Sequence, residues 1–238
     1  MRLKKNVRMT LLYLAFVVIG VVMVFPFIWM IATSFKTGTD IYSLSLLPKK
    51  FTLDNYREVL AGSDFPRWFL NSFLVAGITT LSVLVFDPLL GYAFCKYRFR
   101  GKEAIFTMLL STMMIPTEMM IIPWYMMVNQ LGWNNTYWSM LFPGLSSAFG
   151  IFLMRQFFTG VPDELLDAGR IDGLSEFGVY TRIALPLVTP ALSALGIFTF
   201  LGNWNSFLWP VIALDSKENI PLRWVWHNFL RRMPVNGN

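Results

Sequence analysis

The feature that most constrains the fold of this chain is a series of long apolar runs with few charged residues, of which the first extends from Met9 to Phe35. A helix needs roughly 20 apolar residues to cross the hydrocarbon core of a bilayer. By this criterion the predicted spans are residues 11–32, 69–94, 104–127, 138–157 and 185–214. Charged residues make up 14% of the chain, against about 25% in soluble domains. The sequence therefore predicts an all-α polytopic membrane protein with five apparent transmembrane helices.

The basic residues that flank the predicted spans indicate their orientation. Three flanking segments contain them: Arg2, Lys4, Lys5 and Arg8; Lys96, Arg98, Arg100 and Lys102; and Arg155, Arg170 and Arg182. With five spans these segments share one side of the membrane, and the excess of basic residues in short cytoplasmic loops makes that side the cytoplasm. We therefore expect a multi-pass protein of the cell membrane with a cytoplasmic N-terminus. The first outer loop, residues 34–67, carries five basic residues and weakly opposes this orientation.

The residue types that catalysis and metal binding require are scarce in this sequence. Cys95 is the single cysteine and His227 the single histidine, so we expect neither a disulfide framework nor a metal site. A phosphate loop of the form Gly-x-x-x-x-Gly-Lys-Ser/Thr is absent, so the chain is not expected to hydrolyse ATP itself. In a membrane protein the net charge of +6 reflects topology. We expect membrane lipid and no nucleic acid among its partners, and no catalytic or cofactor-binding residues.

A polar, acid-rich segment, residues 162–186, lies between the fourth and fifth spans. Irregular polar backbone is not tolerated in lipid, so we expect this segment at a membrane face, and the basic residues place it on the cytoplasmic one. Its first part suits a short helix, because Pro162 can occupy a first turn while Asp163 and Glu164 favour the positive helix N-terminus. Gly173 is expected to reverse the chain where a Cβ would clash.

The predicted short helix has two kinds of surface. Leu165, Ala168 and Ile171 recur every three residues and form one small apolar face. Asp167 and Arg170 lie off that face, where we expect them to pair with charged groups of a partner protein. The alternative interpretation is an ordinary solvated loop between two spans.

The same segment resembles the loop by which the permeases of binding-protein-dependent ABC importers contact their ATPase. That loop reads Glu-Ala-Ala, three residues, Gly, nine residues, Ile, one residue, Leu-Pro. Here Asp167 replaces the Glu and Gly169 replaces the second Ala, with all spacings kept. The resemblance implies a coupling loop that comprises Glu164, Asp167, Ala168, Gly169, Arg170, Asp172, Gly173, Ile183, Leu185 and Pro186.

Other landmarks of the family follow in order over roughly residues 10 to 214. They include Asn55-Tyr56, Trp68 to Ser72, Tyr92-Ala93, Phe99 to Gly101, Ile115-Pro116, Ile122-Pro123, 150–158, Arg170 to Gly173, Trp204-Asn205 and Phe207 to Pro210. The chain is similar to the carbohydrate-type permeases, as the smaller subunit in maltose and glycerol-phosphate importers. The resemblance implies import of a sugar or polyol, a second homologous permease subunit, two ABC ATPase subunits that hydrolyse the ATP, and an extracytoplasmic solute-binding protein.

Three polar or aromatic residues are candidates for the substrate path. Glu118 lies between Pro116 and Pro123, which interrupt the third span, and broken helices are tolerated where backbone lines a cavity. Asn205 is an amide within an apolar span and can both donate and accept hydrogen bonds. Its neighbour Trp204 can stack on a sugar, although membrane proteins also place Trp in interfacial belts.

The end of the chain departs from the family, which has a sixth span. The tail, residues 215–238, contains no stretch that approaches 20 apolar residues, and a truncation or frameshift near Pro221 is expected in preference to a genuine five-span protein. The predicted organisation is therefore an N-terminal span with the first extracytoplasmic loop (1–67), a transmembrane core (68–214) and this atypical tail. Two alternatives to the permease function are an ion-driven secondary transporter and an inactive truncated permease fragment.

Overall fold

The computed structural model describes residues 2–43, 45–214 and 221–222, and these residues form helices and connecting turns without β-strands. The all-α prediction is thereby confirmed for the described part of the chain. The tail from residue 215, on which the prediction of a truncation or frameshift rests, lies outside the described residues apart from 221–222. The chain divides into two units, residues 1–65 and 66–238.

The first unit contains one long helix and a short one. Helix α1 is Arg2–Ser34, a 3-10 turn follows at Gly38–Tyr42, and α2 is Asp54–Ala61. Between Met9 and Ile31, most of the apolar side chains of α1 are exposed around its circumference, as expected of a helix that faces lipid or another chain. Asn55 of α2 donates to the carbonyls of Ser34 and Lys36, both at 2.9 Å, and so fixes the connection after α1.

The second unit contains ten helices within the described residues. They are α3 (Phe65–Lys96), α4 (Lys102–Thr112), α5 (Ile121–Gln130), α6 (Tyr137–Leu141), α7 (Ala148–Thr159), α8 (Asp163–Ile171), α9 (Glu176–Val179), α10 (Leu185–Leu187), α11 (Thr189–Trp204) and α12 (Leu208–Ala213). A π-helical turn at Tyr180–Ala184 joins α9 to α10. In the described chain, three helical segments are long and apolar enough to cross a membrane, and five if each of two bent pairs counts as one span.

The third span is bent by 96° between α4 and the helical segment that begins at Thr117. Pro116 precedes a 3-10 turn at Thr117–Met120, and this turn leads directly into α5. The predicted interruption at Pro116 is therefore present. The predicted interruption at Pro123 is wrong, because Pro123 lies in the first turn of α5, where its missing N–H has no helical partner in any case.

The fifth span was predicted as one run over residues 185–214, and its continuity is wrong. The helix pair 176–187 and 189–204 is bent by 80°, and a second break separates α11 from α12. Pro190 cannot donate a helical hydrogen bond to the Pro186 carbonyl, and the Thr189 hydroxyl donates to that carbonyl instead at 2.7 Å. Apolar composition alone could not show these breaks.

The largest buried cluster lies where α3 and α7 meet the segment from α8 to α11. Its members are Val83, Tyr92, Met154, Phe158, Val161, Leu166, Val179, Tyr180, Ala184, Val188, Ala191 and Leu195. The polar segment 162–186 is thus not a loose loop, because its inner side is part of the core of this unit.

Candidate functional site

Helix α8 occupies the position predicted for the short coupling helix. Pro162 is its N-cap, and Asp163 and Glu164 lie in its first turn. At its other end the Leu174 amide donates to the Gly169 carbonyl at 3.0 Å and the Gly173 amide donates to the Arg170 carbonyl at 3.1 Å. This pair of bonds is the Schellman arrangement, which requires a left-handed residue after the C-cap.

Gly173 fills that left-handed position, with a φ of +84°. The expected clash of a Cβ is therefore one with the adjacent backbone, because no atom beyond Gly173 and its two chain neighbours lies within 4 Å of a Cβ built there. The requirement comes from the backbone angle itself, which residues with a Cβ rarely adopt.

The inner side of α8 is anchored in the core. Leu166 is 1% exposed, and the buried Gly169 lies directly against the side chain of Ile183. A Cβ at Gly169 would collide with Ile183 Cδ1, so the small residue and the Ile of the motif are a packed pair. This contact explains why the motif contains both Gly169 and Ile183, which are 14 residues apart in sequence but touch in the folded chain.

The outer side of α8 carries the predicted apolar face. Leu165 is 45% exposed, Ile171 is 85% exposed, and Ala168 between them is also exposed. Phe177, at the start of α9, is 68% exposed. We call Leu165, Ala168, Ile171 and Phe177 the outer apolar face.

Arg170 organises the polar residues around α8. Its guanidinium donates to Asp167 at 2.6 Å and to both Glu176 oxygens at 2.7 and 3.1 Å. These hydrogen bonds, first those to Glu176 and then that to Asp167, raise the pKa of Arg170. Tyr97, just after α3, donates to Glu176 as well, at 3.1 Å. Asp167 and Arg170, which were expected to pair with a partner protein, thus pair with each other in this chain.

Lys96, the last residue of α3, forms hydrogen bonds at the start of α8. Its ammonium group is largely buried and donates to the Val161 carbonyl at 2.6 Å and to Asp163 at 2.7 Å. This hydrogen bond and the positive charge of Lys96 hold the pKa of the Asp163 carboxyl below its ordinary value. In the sequence, Lys96 is recognisable only as a basic residue that indicates topology, and no pattern singles out Tyr97 or Glu176. No sequence spacing indicates these contacts, since the partners lie in different helices.

The remaining residues of the predicted coupling loop lie around this arrangement. Glu164 is exposed in the first turn of α8, and Asp172 is its C-cap. Leu185 and Pro186 form most of α10, which follows the π-helical turn containing Ile183.

The predicted substrate-path residues lie at two different breaks. Glu118 is exposed in the 3-10 turn at the 96° bend. Trp204 ends α11 and packs edge-on against Phe69, with ring centroids 5.2 Å apart. Asn205 is the C-cap of α11, and its amide donates to the Leu201 carbonyl at 2.9 Å. Trp204 is therefore in contact with α3, and the Asn205 side chain is bonded within its own helix end.

Helices of spanning length, two bent pairs and a short helix with one buried and one exposed side define a polytopic helical membrane protein. Residues 88–218 match the family model described as binding-protein-dependent transport system inner membrane component. The chain belongs to this family, which confirms the resemblance and favours a permease over an ion-driven secondary transporter.

Named relatives support the same assignment. The arabinooligosaccharides transport system permease protein AraQ of Bacillus subtilis is 35% identical over 216 residues, which are 89% of this chain and 77% of AraQ. The lactose transport system permease protein LacG of Rhizobium radiobacter is 34% identical, over 82% of this chain and 71% of LacG. The sn-glycerol-3-phosphate transport system permease protein UgpE of Brucella abortus is 33% identical, over 85% and 76%.

A solved structure supports the fold. The crystal structure of a bacterial ABC transporter involved in the import of the acidic polysaccharide alginate contains a similar chain, with a TM-score of 0.82 and 23% identity. The match covers 99% of this chain and 83% of that one. The protein is accordingly a multi-pass transport permease of the binding-protein-dependent class.

Proposed function

We infer that this chain is a permease subunit of an ABC importer for a sugar or a related polyol. The relatives are named for the transport of arabinooligosaccharides, lactose and glycerol 3-phosphate, which are all rich in hydroxyl groups. The subunit works with a second homologous permease, two ATPase subunits and an extracytoplasmic solute-binding protein. ATP hydrolysis takes place in the ATPase subunits.

We place α8 on the cytoplasmic face, as the element that docks on an ATPase subunit. The single observation that carries this role is the contrast between the two sides of α8. Leu166 is 1% exposed while Ile171 is 85% exposed, so the helix is fixed in the permease on one side and presents apolar surface on the other. Exposed apolar surface of this kind indicates an interaction site.

The anchoring of α8 suits it to transmit force. Closure of the ATPase subunits would displace α8, and a displacement is transmitted only through groups that are packed or bonded together. Lys96 links α8 to the end of α3, and the aromatic contact of Tyr92 with Phe158, at 5.2 Å between centroids, links α3 to α7. Glu118, Trp204 and Asn205, at the two breaks, are proposed to line the path that then opens.

The proposal is tested by placing charge on the outer apolar face. In the double variant Leu165→Glu and Ile171→Glu, we expect the ATPase to associate about tenfold more weakly or worse, because two anchors of a docking surface are lost. Membrane insertion and thermal stability should be unchanged, since both side chains are exposed. The measurement is recovery of the ATPase with tagged permease from detergent extracts.

The matched control is the double variant Tyr42→Glu and Leu47→Glu, which introduces the same two charges at residues of the first unit that are 88% and 81% exposed. Its ATPase recovery should equal that of the wild type. Normal ATPase recovery with the double variant would contradict the docking role of α8.

A further inference from the structure

Asp87 is a fully buried carboxylate within α3, one of the helices long enough to span the membrane. A charged group in a membrane is costly unless it is hydrogen bonded, and such residues usually have a function. The Asp87 oxygens accept from the Ser146 hydroxyl at 2.7 Å, the Ser147 hydroxyl at 2.9 Å and the Ser147 amide at 3.1 Å. Within the described residues the carboxylate is thus paired with hydroxyl and amide groups.

The donors to Asp87 lie in a break of the fourth span. Residues 145–147 separate α6 and its following turn from α7, and the backbone at Ser147 is extended. Broken backbone within a membrane must find its hydrogen bonds elsewhere in the protein. Ser82, also on α3, donates to the Leu145 carbonyl at 2.7 Å. Helix α3 therefore supplies both an acceptor and a donor to the break.

Asp87 also provides negative charge at the start of α7. The first turn of α7 contains no acidic residue, and the positive end of a helix favours an anion. Ser147 caps the same turn by accepting from the Gly150 amide at 2.9 Å. A Cβ at Gly150 would collide with an Asp87 oxygen, so glycine at this position permits the carboxylate to approach.

The contact between α3 and α7 continues from the break toward α8. A Cβ at Gly91 would lie 2.9 Å from the backbone nitrogen of Arg155, so the two helices are nearly in backbone contact. Beyond Gly91 the rings of Tyr92 and Phe158 pack together, and Lys96 donates a hydrogen bond to Asp163 at the start of α8. A packed connection thus joins the break to the outer apolar face.

We propose that Asp87 is a positioning residue that locks the break of the fourth span to the α3–α7 pair, so that movement of α8 reaches the middle of that span. The proposal rests on the coupling role of α8 given above. Without the carboxylate, Ser146 and Ser147 would lose their hydrogen bonds to α3 and only the Ser82–Leu145 bond would remain, so ATP binding would no longer displace the start of α7. Asp87 contacts no substrate in this scheme and acts through the backbone that it holds.

The test measures the displacement directly and needs no knowledge of the substrate. Spin labels are attached through Leu131→Cys and Phe149→Cys in a Cys95→Ser background of the importer assembled with its ATPase subunits. Addition of a non-hydrolysable ATP analogue should shift the distance between the labels by about 2 Å, the size of typical helix displacements. With Asp87→Leu the shift should vanish, although the ATPase still co-purifies. With Phe86→Leu, a half-exposed neighbour on α3, the shift should remain.

A relocated carboxylate distinguishes locking from simple helix capping. The double variant Asp87→Ala and Ser147→Asp restores an acidic N-cap to α7 but not its link to α3. We expect the ATP-dependent shift to stay absent, and its recovery would overturn the proposal. An undiminished shift in Asp87→Leu would overturn the proposal as well and leave the proposed function intact. The absence of a shift in the wild type too would contradict both. If the importer with Asp87→Leu does not assemble, Asp87→Asn is used instead. Its amide oxygen keeps one acceptor, so we expect the population of molecules that show the shift to fall about tenfold.

Discussion

Gly173 stands out at the residue scale, because it ends α8 with a φ of +84° and no atom beyond its chain neighbours lies within 4 Å of a Cβ built there. We predict that Gly173→Val destabilises the coupling loop by about 1–2 kcal/mol through backbone strain and lowers ATP-driven uptake. Gly173→Asn should be milder, since Asn adopts left-handed angles more readily. Uptake and thermal unfolding in detergent measure both effects. Equal behaviour of the Val and Asn variants would contradict a backbone origin.

Arg170 is the second residue whose geometry makes a prediction. It binds Glu176 through two nitrogens and Asp167 through a third, an arrangement that the single ammonium group of Lys cannot reproduce. The side chain is 37% exposed, so solvent screening limits the coupling energy to about 1 kcal/mol or less. A double-mutant cycle of Arg170→Lys and Glu176→Gln on thermal stability should give a positive coupling that declines in high salt. Zero coupling at low salt would show that the contact contributes nothing to stability.

At the scale of elements, the crossing of α3 and α7 depends on Gly91. A Cβ there would lie 2.9 Å from the Arg155 nitrogen and 3.1 Å from the Ile151 carbonyl oxygen, and backbone atoms cannot turn away as side chains can. We predict that Gly91→Ala destabilises the protein by about 1–3 kcal/mol. Gly77→Ala in the same helix, where a Cβ meets nothing within 4 Å, should be neutral or stabilising by up to about 1 kcal/mol. Thermal unfolding of the two variants compares them, and similar melting temperatures would contradict a close crossing.

At the scale of the whole molecule, the contacts of the second unit place its loops at two ends. The Lys96–Asp163 and Tyr97–Glu176 contacts put the connection after α3 beside α8. At the other end the Asn135 amide donates to the Ala213 carbonyl at 3.1 Å, beside the start of α6.

This arrangement predicts the accessibility of introduced cysteines in a Cys95→Ser background. Arg100→Cys and Ile171→Cys should react with a membrane-impermeant maleimide only from the cytoplasm, as basic flanks predict. Leu131→Cys, which replaces a half-exposed residue in the other loop, should react only from outside. Arg8→Cys tests the predicted cytoplasmic N-terminus in the same way. Labelling of Ile171→Cys from outside would refute the proposed orientation.

Much of this architecture could be predicted from local sequence. Apolar runs gave the approximate positions of the helices of spanning length and of the two bent pairs. Pro162 and Gly173 marked both ends of α8, because helix ends depend on the residues at those positions. The outer apolar face was also visible in the spacing of Leu165, Ala168 and Ile171. The breaks of the fifth span were missed, since a proline within an apolar run can begin, bend or end a helix according to its neighbours.

The sequence by itself determined that this chain is a helical membrane protein of the importer permease family, with a short amphipathic helix in its second half. Hydrophobic length, helix-end residues and fixed motif spacings are properties of neighbouring residues, so they can be read along the chain. Only the tertiary structure decided that Lys96 donates a hydrogen bond to Asp163, that Gly169 packs on Ile183, and that Asp87 accepts a hydrogen bond from Ser147 in the break of the fourth span. These contacts join residues distant in sequence. Asp87 and the Lys96 ammonium group are buried polar groups that must find partners in space, and Gly169 meets Ile183 because side chains in a protein interior are closely packed.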